Sequence, residues 1–130
     1  MLEAKLRLPL CRATRNVHGT IYGGSMYAAV DPLHAVLVAV HLGPDYHVWM
    51  KSAKIEFRRP GRGDLYAHAH LHRRDIDAIR AALVNENKVD RDFSLSLTDA
   101  DGEIAAQFTL TLHCRRRQAH ESPMNALVFP

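Results

Sequence analysis

Residues 24–42, GSMYAAVDPLHAVLVAVHL, are apolar nearly all the way round a helix and are stopped by Gly43 and Pro44. A helix without a polar face is not a surface helix; it has to be covered. The chain has 130 residues, enough for one domain with a core of its own and too few for two. The rest of the chain must therefore supply the cover.

It does so with strands. Leu2, Ala4, Leu6 and Leu8 alternate, which predicts a strand over 2–8 ended by Pro9, with loop over 10–23. Residues 46–59 read as a long strand with Val48, Trp49, Ile55 and Phe57 as its bulky members, and RPGRGD follows as a turn. A second strand spans 64–74. Residues 75–87 have helical spacing, with Ile76, Ile79 and Leu83 on one face and Asp75 as N-cap. Phe93, Leu95 and Leu97 then alternate with Ser94, Ser96 and Thr98, DADG (99–102) is a hairpin turn, and 103–115 alternates through Phe108, Leu110 and Leu112. This is an α+β layer, a sheet of about five antiparallel strands on a long helix. Pattern leaves two arrangements open. In a hotdog fold the sheet wraps a central helix, and in a ferredoxin-like fold the order is βαββαβ. The apolar helix favours the first.

Composition excludes several classes. The chain is 47% apolar and 24% charged, as in an ordinary globular protein. No run approaches the roughly 18 consecutive apolar residues of a membrane span, and MLEAKLRLPL has no clean apolar block for a signal peptide. Cys11 and Cys114 lie far apart without a CxxC pairing, so free thiols in a cytoplasmic setting are expected. The net charge of +3 is unevenly spread, with arginines at 58, 59 and 62, at 73 and 74, and at 115–117. Such clusters bind phosphate or simply solvate strand ends. No helix-turn-helix or zinc-finger spacing accompanies them, so no nucleic-acid partner is expected. The tail RRRQAHESPMNALVFP has mixed charge and then an apolar end suited to packing on a neighbour or fraying.

The chemistry concentrates in NVHGTIYGG, residues 16–24, just ahead of the helix. At about 100° per residue, Gly24 and Asp31 fall within roughly 20° of one helix face, with Ala28 between them. The helix N-terminus at Gly23–Gly24 offers free N–H groups and the positive end of the dipole, fit to hold an oxyanion. An acid nearby suits a general base, and the Asn16 amide suits orienting water or a carbonyl. These are the parts of acyl transfer to water. Pro32 directly after Asp31 gives a second reading. The helix can break there, with Asp31 as N-cap of a new segment.

With Asn16, Gly19, Thr20, Gly23, Gly24 and Asp31 in register, the segment resembles the N-x-x-G-T-x-H-G-G pattern and following acid of hotdog acyl-CoA thioesterases of the phenylacetate-pathway type. IEFRRPGRGDLYAHAHL and DFSLSLTDADGEIAAQFTLTL resemble that family's strands, so the likeness spans about residues 14–114. The resemblance implies Asp31 as base or nucleophile, Asn16 as orienting amide and the Gly24 N–H as oxyanion hole. Gly23, Tyr22, His18 and Met50 would line the substrate pocket, and Arg58 and Arg62 would hold the coenzyme A phosphates. It further implies a homodimer or homotetramer with sites completed by the partner subunit, and no metal or other cofactor. The chain departs from the pattern in Tyr22, where the motif has His, in Pro32, in Met50, where some relatives carry Ser or Thr, and in the helix at 75–87. It therefore resembles an outlying branch. The runner-up activity is binding of an acyl-CoA or fatty acyl chain without turnover. A dehydratase is weaker because the motif His is missing.

Other groups read as structural. His68, His70 and His72 alternate along a strand, and neighbours at about 6–7 Å rarely converge on one ion, so no metal is expected. His34, one turn past Asp31, is within reach of the acid but suits packing. Cys114 stands among basic residues, which would lower its pKa, yet no base adjoins it.

Overall fold

The computed structural model describes residues 2–118. Alternation produces the strands where expected. β1 (Leu2–Leu8) turns Glu3, Lys5 and Arg7 outward and its leucines inward. α1 (Gly23–Leu42) follows, then β2 (Tyr46–Phe57), β3 (Leu65–Leu71), α2 (Arg73–Asn85), β4 (Lys88–Thr98) and β5 (Ile104–Arg116). The strands form one antiparallel sheet in the order β1-β3-β4-β5-β2, with α1 packed on one face. That order, with the first helix between strands that end up at opposite edges, is the hotdog arrangement and not the ferredoxin-like one.

Packing falls into two adjoining clusters. Toward the start of α1, Met26 and Val30 meet Leu65, Leu97, Phe108 and Leu110. Toward its end, Val38 and Leu42 meet Leu71, Leu112 and Cys114 together with Ile76, Ile79 and Leu83 of α2. Each such side chain contributes about 1.5–3 kcal/mol on burial. The β4–β5 ladder runs from Lys88↔Arg115 to Thr98↔Ile104, whereas β3 meets β4 only at Tyr66↔Thr98 and Ala67↔Leu97. Beyond that point α2 provides the cover that a continuous ladder would have given. His34 reaches into this region, fully buried, stacked on Phe93 at 4.9 Å and hydrogen-bonded to the His70 backbone. Its role is packing, as its position suggested.

The helix ends explain several arginines. Gly43 ends α1 at φ +103°, which favours glycine, and its N–H donates to the Ala39 carbonyl at 3.1 Å. Arg80 of α2 donates to the carbonyls of His41 and Leu42 at 2.9 and 3.0 Å, placing a cation at the negative end of α1. Arg116 does the same for Leu83 and Val84 of α2, and Arg117 donates to the Pro44 carbonyl at 2.9 Å. These members of the basic clusters cap and tie the fold.

Three expectations change. α1 runs unbroken through Pro32. The lost bond is that of the Ala28 carbonyl, on an exposed turn open to solvent. α2 begins at Arg73 with His72 as N-cap, so Asp75 is its third residue, where its carboxylate accepts the His72 N–H at 3.1 Å. β4 begins at Lys88, earlier than its apolar residues suggest. The apolar end of the tail lies outside the described residues.

Candidate active site

The loop before α1 is organised by Asn16. Its side-chain oxygen accepts from the backbone N–H of His18 (2.9 Å) and Thr20 (3.1 Å) and from the Thr20 hydroxyl (3.2 Å), and its amide donates to Thr20 Oγ1 at 3.0 Å. Gly19 takes φ +78° at the tip, a conformation glycine adopts without strain. The Ile21 N–H donates to the Gly61 carbonyl, and the Tyr22 N–H to that of Thr14. The loop is thus fastened on both sides and delivers the chain to α1 in fixed register. Asn16 keeps one amide hydrogen beyond these bonds. His18 and Val17 are exposed on the loop tip.

Tyr22 is the N-cap of α1 in extended conformation, and no side chain caps the helix. The N–H groups of Ser25 and Met26 donate to the Tyr22 carbonyl. Those of Gly23 and Gly24 are the outermost of the helix, and no acidic residue occupies the first turn. The positive end of α1 is therefore left for an external anion or developing oxyanion. Exposed aromatic rings lie close over both glycines and would have to turn aside for any side chain there. A Cβ on Gly23 would stand 2.8 Å from the Phe57 ring, and one on Gly24 2.5 Å from the Tyr22 ring.

Asp31 lies two turns on, half-buried, with its Oδ1 accepting from the Tyr27 hydroxyl at 3.3 Å. The Tyr27 phenol is pushed above its ordinary pKa by burial and then by the Asp31 charge, so it stays a donor and fixes the carboxylate. Seven residues of helix rise about 10.5 Å. Gly24 and Asp31 of one chain thus share a face but cannot both touch one carbonyl carbon.

Gly24, Ala28, Pro32, Val36 and Val40 recur every fourth residue and are all exposed, Val36 by 51% and Val40 by 68%, a stripe that starts beside Asp31 and winds around the helix by about 40° per step. The helix that had to be covered is covered on one side only. Beside it β2 is an edge strand, exposed over Lys51–Lys54 and at Trp49 and Phe57. An apolar helix stripe and an unpaired strand edge are the features that a second chain would cover. By length and hydropathy α1 also meets the composition of a membrane-crossing helix, but its Met26, Val30, Val38 and Leu42 face are packed against the fold.

Met50 is half-buried, adjoins both clusters and precedes a bulge at Lys51 that shifts the β2–β5 register. Arg58 pairs with Glu56 at 3.2 Å and Arg59 with Glu103 at 3.5 Å. Among the described residues no carboxylate pairs with Arg62, which lines a groove of about 670 Å³ with Arg59, Asp64, Tyr66, Asp99 and Asp101. Sequence reasoning did not single out Tyr27, although its spacing of four from Asp31 was the available signal, nor Phe57 and Arg59. Cys114 reverses its expectation. It is fully buried, and burial raises its thiol to about 11. Cys11 is exposed, and hydrogen bonds to Thr14 and Ala13 hold its thiol below the ordinary value.

The strand order with α1 laid across one face of the sheet defines a hotdog-fold chain. The chain belongs to the family described as domain of unknown function DUF4442, whose model matches residues 2–114. Its structure is similar to that of PA5026 from Pseudomonas aeruginosa, a protein described as of unknown function and a probable thioesterase. The TM-score is 0.82 at 23% identity, over 88% of this chain and 77% of that one. AziG from S. sahachiroi (TM-score 0.67, 22% identity, 88% and 85% covered) and the thioesterase HI1161 from Haemophilus influenzae (0.67, 15%, 92% and 76%) share the fold. No curated protein matches the sequence.

Proposed function

We propose that this protein hydrolyses acyl thioesters, with coenzyme A as the carrier, at sites shared between two copies of the chain. The observation that carries the reading is the bare N-terminus of α1 at Gly23–Gly24, on the same helix face as the half-buried Asp31. The rise of about 10.5 Å between them favours an antiparallel pairing of two such helices. The N–H of Gly24 would then work with Asp31 of the partner subunit. Water attacks the thioester carbonyl while that carboxylate takes its proton. The oxyanion is held by the Gly24 N–H and the helix dipole. Collapse breaks the C–S bond, and the thiolate leaves and takes up a proton, giving acid and free thiol.

Tyr27 holds the carboxylate, and Asn16 positions the loop that aims the helix. Gly23, Tyr22, His18 and Met50 line the acyl side in this reading, and Arg58 and Arg62 meet the phosphates, with Arg62 the less engaged of the two. Homodimers or homotetramers, a cytoplasmic setting, and no nucleic-acid or membrane partner complete the proposal. Thiol release from short, medium, long and aromatic acyl-CoAs tests it, run beside Asp31→Asn. Turnover lost in that variant supports the reading, and full activity in it refutes the mechanism.

One observation favours the second reading, an acyl-CoA binder without turnover. The Tyr22 ring lies against Gly24, where a carbonyl would approach. An acyl ligand carried through purification by a chain inactive on the whole panel would establish it.

A further inference from the structure

β1 and β3 bring three metal-binding side chains together on the outer face of the sheet, at the edge opposite β2. Strand alternation sends Leu65, Ala67, Ala69 and Leu71 to the core and Tyr66, His68 and His70 outward. The antiparallel register sets Glu3 directly opposite His70 and diagonal to His68, and Lys5 opposite His68. Glu3 Oε2 lies 2.8 Å from His68 Nε2, and the His68 and His70 rings approach to 3.8 Å between centroids. One ligand atom from each of Glu3, His68 and His70 lies within 4.8 Å of the others. His72, the third of the alternating histidines, is instead the N-cap of α2.

We propose that Glu3, His68 and His70 bind a divalent transition ion of the zinc class as a two-histidine, one-carboxylate site bridging β1 and β3. Two imidazoles and a carboxylate are the ligand set such ions prefer, whereas calcium and magnesium prefer oxygen. Ligands around a tetrahedral ion at 2.0–2.1 Å stand about 3.3 Å apart, so no pair here needs to close by more than roughly 1.5 Å. All three side chains are exposed, so the adjustment is one of side-chain torsions at the surface and not of the core. Solvent completes the coordination, so the ion ties an edge strand to its neighbour and lies apart from the stripe on α1. Lys5 is the opposing element, a cation on the same face.

Titration calorimetry of the tag-free chain with Zn²⁺ and Ni²⁺ tests the site, with thermal unfolding alongside. The expected result is one ion per chain in the micromolar range and a melting temperature raised by the ion. His68→Ala and His70→Ala should each weaken binding at least about tenfold, Glu3→Gln by about tenfold, and the double histidine variant should lose the thermal shift. Lys5→Glu should tighten binding several-fold. These exposed positions tolerate substitution, which circular dichroism checks. Unchanged binding in the double histidine variant, or none by the parent at millimolar ion, overturns the proposal. So does insensitivity to the charge at residue 5.

Discussion

His34 is the point at which acid should first weaken this fold. Its ring is 1% exposed, stacks on Phe93, and has no hydrogen-bond partner for Nδ1 among the described residues. Burial lowers its pKa from 6.5, against smaller opposing effects from the His70 backbone and the Asp75 charge. The unfolded chain thus binds a proton at a pH where the folded chain does not. Stability is fully present above about pH 6.5 and is lost as pH falls from there toward the folded value. Within that window the slope is at most about 1.4 kcal/mol per pH unit, one proton's worth. His34→Phe keeps a ring on Phe93 and cannot titrate. It gives up the bond to the His70 backbone, about 1 kcal/mol at neutral pH. Urea unfolding of both proteins at pH 8, 7, 6 and 5 should show the parent losing stability faster through the acid range, so that the two curves converge or cross. Parallel curves would refute the assignment.

Other substitutions test the packing, the loop and the exposed stripe. Leu110→Ala, at a fully buried position under α1, should cost about 3 kcal/mol in denaturant unfolding. Asn16→Ala removes the acceptor of three hydrogen bonds in the loop and should lower thermal stability by about 1–2 kcal/mol, with reduced turnover if the loop aims the helix. Val40→Asp, on the exposed stripe, should change the stability of the isolated chain by less than about 0.5 kcal/mol and yet shift light scattering at micromolar concentration to the monomer.

The periodic parts of the fold were legible because alternation and helical spacing are written residue by residue. β1, α1 and β5 came within a residue or so of their expected ends. β4 was seen only from Phe93 because KVDRD carries a single apolar residue, Val89, and the strand's first half is held by its ladder to β5. The start of α2 was misjudged because histidine is an unusual N-cap, and Asp75 serves at the third position. An apolar helix was taken to be covered on most sides, and one chain supplies that cover on one side. Within the site, NVHGTIYGG pointed to the helix N-terminus. The pattern did not reveal that Asn16 already spends most of its hydrogen bonds on the loop. Glu3 beside His68 and His70 depends on cross-strand register between residues more than sixty apart, which no local pattern encodes.

The central claim is that the helix N-terminus of one chain acts with the acid of another, and mixing two inactive variants tests it most directly. Asp31→Asn removes the base, and Gly24→Pro, combined with Tyr22→Ala to clear the ring that stands over Gly24, removes the oxyanion donor in the first helical turn, each costing about a hundredfold or more in turnover. In a randomly mixed population half the pairs are mixed, and each mixed pair carries one intact site of two. The account therefore predicts recovery of about a quarter of the parent's thiol release from acyl-CoA. Two variants that are each folded and inactive, with no recovery on mixing, would contradict it.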